Sequence, residues 1–241
     1  MNLILFEPDE VGRPLVSSDP RAQHLVNVLR RQPGDTFDAG IVGSTRGTGV
    51  VRGLDENGLQ FDFKAHSPLP LRRQLRLLIG WPRPQTARDI LRDATTLGAT
   101  TLEFVHTARS DRNYASSPLW TSGEWRRHML TGAAQAFDPR IPAVRWNRSL
   151  KQAVEPFGPG DEARWALDLY EATAPLAELA THSTGPVSLA FGPERGWDQQ
   201  DREILRRAGF TLASLNLPVL RVETAVVAAL ALVSALGPRP S

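Results

Sequence analysis

Two turns near the C-terminus hold residue types that could do chemistry. Phe191-Gly192-Pro193-Glu194-Arg195-Gly196-Trp197 brings two glycines, a proline, an acid and a base together, and Leu215-Asn216-Leu217-Pro218-Val219-Leu220-Arg221-Val222-Glu223-Thr224-Ala225 runs into an apolar segment. Such turns present backbone N–H and C=O groups beside a buried surface, a place suited to a flat cofactor with an uncharged base. Leu215, Leu217, Val219 and Leu220 are expected to line it. Arg221 falls where the last helix should begin, and the positive end of a helix dipole disfavours a cation unless an anion or carboxylate answers it. Glu194 is one candidate partner. Structural ion pairing and substrate contact are both open on this pattern.

The segments around these turns read as alternating strands and helices. Leu75–Gly80 and Thr101–Val105 are strand candidates, and between them Ala87, Ile90, Leu91, Ala94 and Leu97 share one helical face ending at Gly98. This is the pattern of a βαβ unit with a right-handed crossover. Thr121 and Glu124 are spaced for a capping box, with Trp120 and Trp125 as a hydrophobic staple. Further strands are expected at Ile141–Trp146, Trp165–Leu169, Val187–Phe191 and Leu212–Leu215, with a helix from Asp198 to Ala208 closed by Gly209. The run from Ala225 to Val233 is apolar on every side of a helix, so its own domain, and a second subunit too, are candidates to enclose it.

The first third differs. Gly34, Gly40, Gly43, Gly47, Gly49, Gly53 and Gly58 separate short β-prone pieces, which suits a small barrel. One helix is expected to interrupt it, started by Asp19-Pro20, carrying His24, Leu25, Val28 and Leu29, and stopped by Pro33-Gly34. His66-Ser67-Pro68-Leu69-Pro70-Leu71 reads as a stiff connection.

Composition narrows the chemistry. The 241 residues include no cysteine, which excludes disulfides, thiolate nucleophiles and sulfur-ligated metals. The five histidines show no zinc spacing, so no metal is expected. Neither a Walker loop nor a dinucleotide fingerprint is present. The opening residues are too short and uncharged for a secretory signal, and the apolar run is far too short to span a membrane; a soluble cytoplasmic protein is the expectation. A net charge of +2 permits RNA binding through a local patch without demanding it. Arg21, Arg30 and Arg31 in the first part, and Arg83, Arg88, Arg109 and Arg112 in the second, are the candidates, alongside Arg72 and Arg73; a merely solvated face is the competing reading. The loop from Thr107 to Pro118 likewise reads as a surface connection.

Taken together, these motifs resemble the RsmE family of 16S ribosomal RNA uridine-N3 methyltransferases, within the knotted SPOUT class. His24-x-x-x-Val28-Leu29-Arg30 with Gly34 is similar to the family's N-terminal barrel signature, and Leu97-Gly98-Ala99 to its Glu-Leu-Gly-Val segment. Gly192-Pro193-Glu194-x-Gly196 resembles its Gly-Pro-Glu-Gly-Gly loop, and Leu220-Arg221-x-Glu223-Thr224-Ala225 its Leu-Arg-x-Glu-Thr-Ala element. The resemblance covers almost the whole chain. It implies an α/β fold: a PUA-like β-barrel RNA-binding domain over 1–67, then over 72–241 a SPOUT methyltransferase domain with a parallel sheet and a deep trefoil knot. It also implies a homodimer acting on 16S ribosomal RNA or the small ribosomal subunit. S-adenosylmethionine would be held by Leu169, Tyr170, Phe191, Gly192, Pro193, Glu194, Gly196, Leu215, Asn216, Leu217, Val219 and Leu220, with Arg221 and Glu194 as the catalytic pair.

The chain departs from the family in several places, and its cofactor loops keep the family pattern better than its substrate-side polar groups do. Pro84-Gln85-Thr86-Ala87-Arg88-Asp89 stands where the family commonly has lysine and glutamate, Thr96 replaces a glutamate, and Ala134-Gln135-Ala136-Phe137-Asp138 lacks an acid and an arginine, although Arg140 remains. Asn216-Leu217-Pro218 replaces Gly-x-Arg, and Arg195 replaces a loop glycine. A second reading follows: a knotted RNA-binding or ribosome-assembly protein with an altered target or lost catalysis.

Overall fold

A computed structural model describes residues 3–66, 68–157 and 162–236. Ser67 of the expected connection, and the ends of the expected domains at residues 1–2 and 237–241, lie outside them. The chain divides into two compact units, Met1–Pro70 with Ala133–Ile141, and Leu71–Gly132 with Pro142–Ser241.

In the first unit β1 (Ile4–Phe6) lies parallel to β2 (Thr36–Ile41), which continues antiparallel into β3 (Arg46–Asp55) and β4 (Gly58–Ala65). Phe6 stacks on Phe61 with ring centroids 4.7 Å apart, and Phe37 meets Phe61 edge-on. Gly49 is required beneath this cluster, because a Cβ there would lie 2.1 Å from the Phe37 ring. The segment returning at Ala133 is tied on by backbone bonds from Leu3 to Ala134 and from Gly43 to Pro139.

The expected helix is present but divided. Asp19 caps α1 (Pro20–Gln23) by accepting from the Arg21 N–H, and the chain then widens into a π-turn over His24–Val28 before Arg30 turns left-handed at φ 53°. Arg21, expected at an RNA surface, donates to Glu10, Asp19 and the Leu5 carbonyl and lies over the Phe6 ring. Its hydrogen bonds hold both the Glu10 and the Asp19 carboxyls below their ordinary values. Depressed carboxylates contribute stability that is present above their unfolded values of about 4 and lost as pH falls through the folded ones. Arg21→Met is therefore expected to flatten the acid side of the stability profile, read from urea midpoints at descending pH. Parallel profiles for the two proteins would refute this.

The second unit is built on seven parallel strands in the order β7-β6-β5-β10-β8-β11-β9. These are β5 (Leu75–Gly80), β6 (Thr101–His106), β7 (Ala143–Ser149), β8 (Ala163–Leu167), β9 (Ala174–Pro175), β10 (Val187–Phe191) and β11 (Thr211–Ser214). The central β10 is buried at every position, as its uninterrupted apolar run requires in a sheet covered on both faces. Its helices are α2 (Pro84–Thr96), α3 (Pro118–Thr121), α4 (Glu124–Ala136), which runs on into the first unit, α5 (Leu150–Val154), α6 (Leu176–Thr181), α7 (Gln199–Arg207) and α8 (Val222–Leu236). Gly98, at φ 83°, follows α2 where a left-handed residue ends the helix.

The expected capping box at Thr121 does not form. Thr121 closes α3 and bonds back to the Ser117 carbonyl, Gly123 takes φ 76°, and Glu124 instead pairs with Arg88 and His128. Trp120 and Trp125 both pack on Trp146. Asp198 does form a capping box, with Asp201. Helix α8 is buried at Val222, Val226, Ala229, Leu230 and Val233 and exposed at Ala231, Ser234 and Ala235. Arg73 donates to the Val233, Gly185 and Ser183 carbonyls, so this cation serves the negative end of α8. Among the described residues, no helix is long and apolar enough to cross a membrane.

Candidate active site

Because β10 pairs with β5 on one side and β8 on the other, the C-terminal ends of these strands deliver Gly80, Phe191 and Leu167 to one edge of the sheet. Ligands of open parallel sheets bind at that edge where the strand order switches. A cleft of about 520 Å³ lies there, and its walls include Leu169, Phe191, Gly192, Pro193, Glu194, Gly196, Val219, Leu220 and Arg221. An adjoining space of about 250 Å³ is lined by Asp168, Leu215, Asn216, Leu217 and Pro218; both share Leu167, Leu169, Leu220 and Ala225. The two turns singled out in the sequence meet here.

The glycines are shaped for close approach. Pro193 accepts from the Gly196 N–H at 2.7 Å, and Gly196 sits at φ 66°. A Cβ on Gly192 would come within 3.0 Å of the Gly196 and Trp197 backbone, and one on Gly80 within 2.8 Å of the Pro193 nitrogen. Backbone on both sides leaves little room to yield. Gly80→Ala is expected to destabilise the protein by about 1–3 kcal/mol through overpacking, measured by denaturant titration. An unchanged midpoint would show that the loop yields freely.

Glu194 is held by the Arg83 N–H, which donates to its Oε1 at 2.8 Å, at the start of α2. Arg221 is exposed and, among the described residues, has no ion-pair partner; the expected Glu194–Arg221 pair is not formed. On the opposite wall Asp168 accepts from the Tyr170 and Glu171 N–H groups and from Arg202 Nε, and Trp197 Nε1 donates to the Leu167 carbonyl. These bonds set the course of the loop carrying Leu169. Among the described residues, the N–H groups of Leu217, Val219 and Leu220 find no acceptor, so they are open to a ligand.

Residues 68–234 match the family model described as an RNA methyltransferase domain. Ribosomal RNA small subunit methyltransferase E of Treponema pallidum is 30% identical over a 247-residue alignment covering 98% of this chain and 91% of that protein. The chain belongs to the ribosomal RNA small subunit methyltransferase E family. A member from Borreliella burgdorferi is 25% identical, with 95% of each chain covered. Two solved structures share the fold at 20% identity. One is the Neisseria gonorrhoeae methyltransferase E bound to S-adenosyl methionine, with a TM-score of 0.78 and 98% of both chains covered. The other is a probable rRNA-methyltransferase from Porphyromonas gingivalis, with a TM-score of 0.81 and 97% and 98% covered.

For this family member, the structure gathers most of the expected cofactor residues. Tyr170 is the exception. It is 80% exposed, lines neither space, and lies against Arg202. Of the expected RNA-binding arginines in this unit, Arg83 borders the cleft, Arg109 donates to the Arg195 carbonyl, and Arg112 is exposed in a 3-10 turn. Arg88 is bound to Glu124, whose carboxyl is pulled to about 2, first by Arg88 and then by His128. In the first unit Arg30 is exposed, and the Arg31 Nε is buried without a partner among the described residues. Sequence reasoning missed Asp168, Arg202 and Trp197. The available signal was an acid directly after the apolar strand Trp165–Leu167.

Proposed function

We propose that this chain methylates uridine N3 in 16S ribosomal RNA of the small ribosomal subunit, using S-adenosylmethionine. The observation that carries this reading is the joining of the Gly192–Gly196 loop and the Leu215–Leu220 turn into one cleft with Arg221 at its mouth, in a chain of the methyltransferase E family.

The cleft fits the cofactor: its volumes suit a nucleoside with an amino-acid arm, its glycines admit close backbone approach, and its free N–H groups offer donors to a base edge. Leu215, Asn216, Leu217, Val219 and Leu220 would hold the base, and Phe191 to Gly196 the opposite end. When bound, S-adenosylmethionine supplies a sulfonium methyl for transfer to a ring nitrogen. Uracil N3 carries a proton that must be removed. Glu194, held by the Arg83 amide, would accept it, and Arg221 would stabilise charge developing on a uracil carbonyl. Holding the base in line contributes further without a covalent enzyme intermediate.

The wider reading joins a PUA-like barrel over 1–67 that grips RNA through Arg30 and Arg31 to a SPOUT domain over 72–241. Arg83, Arg109 and Arg112 would extend the RNA path. A deep trefoil knot would thread the cleft turns, the exposed stripe of α8 would meet a second copy, and the protein would work in the cytoplasm. Support comes from the family match, the non-sequential strand order and the apolar character of α8.

The test is transfer of radiolabel from S-adenosylmethionine to small-subunit RNA by the full chain, with mass spectrometry locating the methyl group. Label on uridine N3 supports the reading. Label elsewhere changes the target, and cofactor binding without any label favours the assembly-protein alternative.

A further inference from the structure

We infer that Asp201 is a positioning residue for the reaction on RNA: through the Ala108 amide it ties the turn that carries Arg109 to the start of α7. The inference rests on the reading of RNA as substrate given above. Asp201 lines neither space of the cofactor cleft, so it acts through Arg109 and not by touching the cofactor.

The N-terminus of α7 follows closely on the Gly192–Gly196 loop, and three segments around the cleft are joined there. Trp197 holds the Leu167 carbonyl at the end of β8. Asp198 and Asp201 cap the helix reciprocally: the Asp201 N–H donates to Asp198 Oδ1 at 2.7 Å, and the Asp198 N–H to Asp201 Oδ2 at 3.3 Å. The other oxygen of Asp201 accepts from the Ala108 N–H at 3.4 Å, although Ala108 lies 93 residues earlier in the chain. Next to Ala108, the exposed Arg109 donates to the Arg195 carbonyl at 2.8 Å, and the Thr107 and Ser110 hydroxyls close the turn at 2.8 Å. Arg109 is thus held on both sides by one segment, at its guanidinium by Arg195 and at the preceding amide by Asp201.

Helix capping alone does not account for this acid. Asp201 is only 4% exposed and, among the described residues, no cation pairs with it. Burial pushes its carboxyl above the ordinary value; the Asp198 and Ala108 amides and the charge on Arg109 pull against that, and the Asp198 carboxylate adds to it. A desolvated charge without a cation costs stability, and a neutral amide at this position of a capping box reaches back to the cap equally well. What the carboxylate adds is a second acceptor oxygen and a negative charge within electrostatic reach of Arg109, and charge-assisted bonds are the stronger ones.

The test is methyl transfer to small-subunit RNA by the full chain at saturating S-adenosylmethionine. Asp201→Asn keeps the size of the side chain but removes its charge and one acceptor oxygen. Its KM for RNA should rise about fivefold to tenfold, the effect of losing one charge-assisted bond, with a smaller change in kcat. S-adenosylhomocysteine affinity should stay within about twofold, and the melting midpoint should change little, because the lost bond is offset by the end of a buried charge. Arg109→Ala should raise the same KM, and adding Asp201→Asn to it should raise it little further, since the acid acts through that guanidinium. An unchanged KM in either single variant, or effects that multiply in the double variant, would overturn the inference. So would a KM that rises only together with losses of melting midpoint and cofactor affinity, the mark of an acid that serves the fold alone. A wild-type chain that transfers no methyl group to RNA would sink the methyltransferase reading itself, whereas an active wild type matched by its variants sinks only the role of Asp201.

Discussion

Arg221→Ala is expected to lower methyl transfer to RNA by about 10²–10³-fold, the effect of removing one preorganised donor from a developing negative charge. The fold should not suffer. Arg221 is exposed, has no ion-pair partner among the described residues, and stands directly before α8, where a cation opposes the helix dipole. Removing it should leave the thermal midpoint unchanged or raise it slightly, and cofactor affinity should fall far less than turnover. Arg221→Lys should restore only part of the rate, since an ammonium cannot present the planar fork of a guanidinium. Single-turnover rates and thermal melts of the three proteins decide the matter. Transfer by Arg221→Ala at the wild-type rate removes the residue from the chemistry, whereas equal losses of stability and activity make its role structural.

The largest stability effect should come from the opposite wall. Arg202 and Asp168 have side chains only 8% and 2% exposed and pair at 2.8 Å. Arg202→Met leaves a buried carboxylate without its cation, a loss of about 3–5 kcal/mol. At about 2–4 °C per kcal/mol for a protein of this size, the melting midpoint should drop by roughly 10 °C. Asp168 also accepts from the Tyr170 and Glu171 amides, so the loop bearing Leu169 should loosen and the cleft should bind more weakly. Arg202→Met combined with Asp168→Leu should recover part of the stability but not the cleft, because an apolar pair replaces the charges while the loop loses its acceptor. A single variant as stable as the wild type would show that solvent reaches this pair.

Much of this architecture was legible in the residues. Leu75–Gly80 and Val187–Phe191 form the expected strands, and α2 buries Ala87, Ile90, Leu91 and Ala94 as their spacing requires. The Gly-Pro-Glu and Leu-Arg-x-Glu-Thr-Ala turns do face one another across a cleft. Other signals misled for identifiable reasons. Thr121 had the spacing of a cap, but Gly123 turned the chain and released Glu124 to Arg88. Arg21 and Arg88 carried the same charge as the arginines at the cleft, yet carboxylates claimed them, Asp19 and Glu10 for Arg21 and the sequence-distant Glu124 for Arg88. The return of Ala133–Ile141 to the first unit had no local signature.

The division follows from the range of each interaction. Hydrophobic periodicity, caps and left-handed glycines act over a few residues, so the sequence by itself determined where strands and helices run and which two turns could hold a ligand. Strand order, and the partner each guanidinium takes, depend on groups brought together across long stretches of chain. Only the tertiary structure decided that β10 lies between β5 and β8, and that Asp168 is buried against Arg202 while Arg221, among the described residues, is left without a carboxylate.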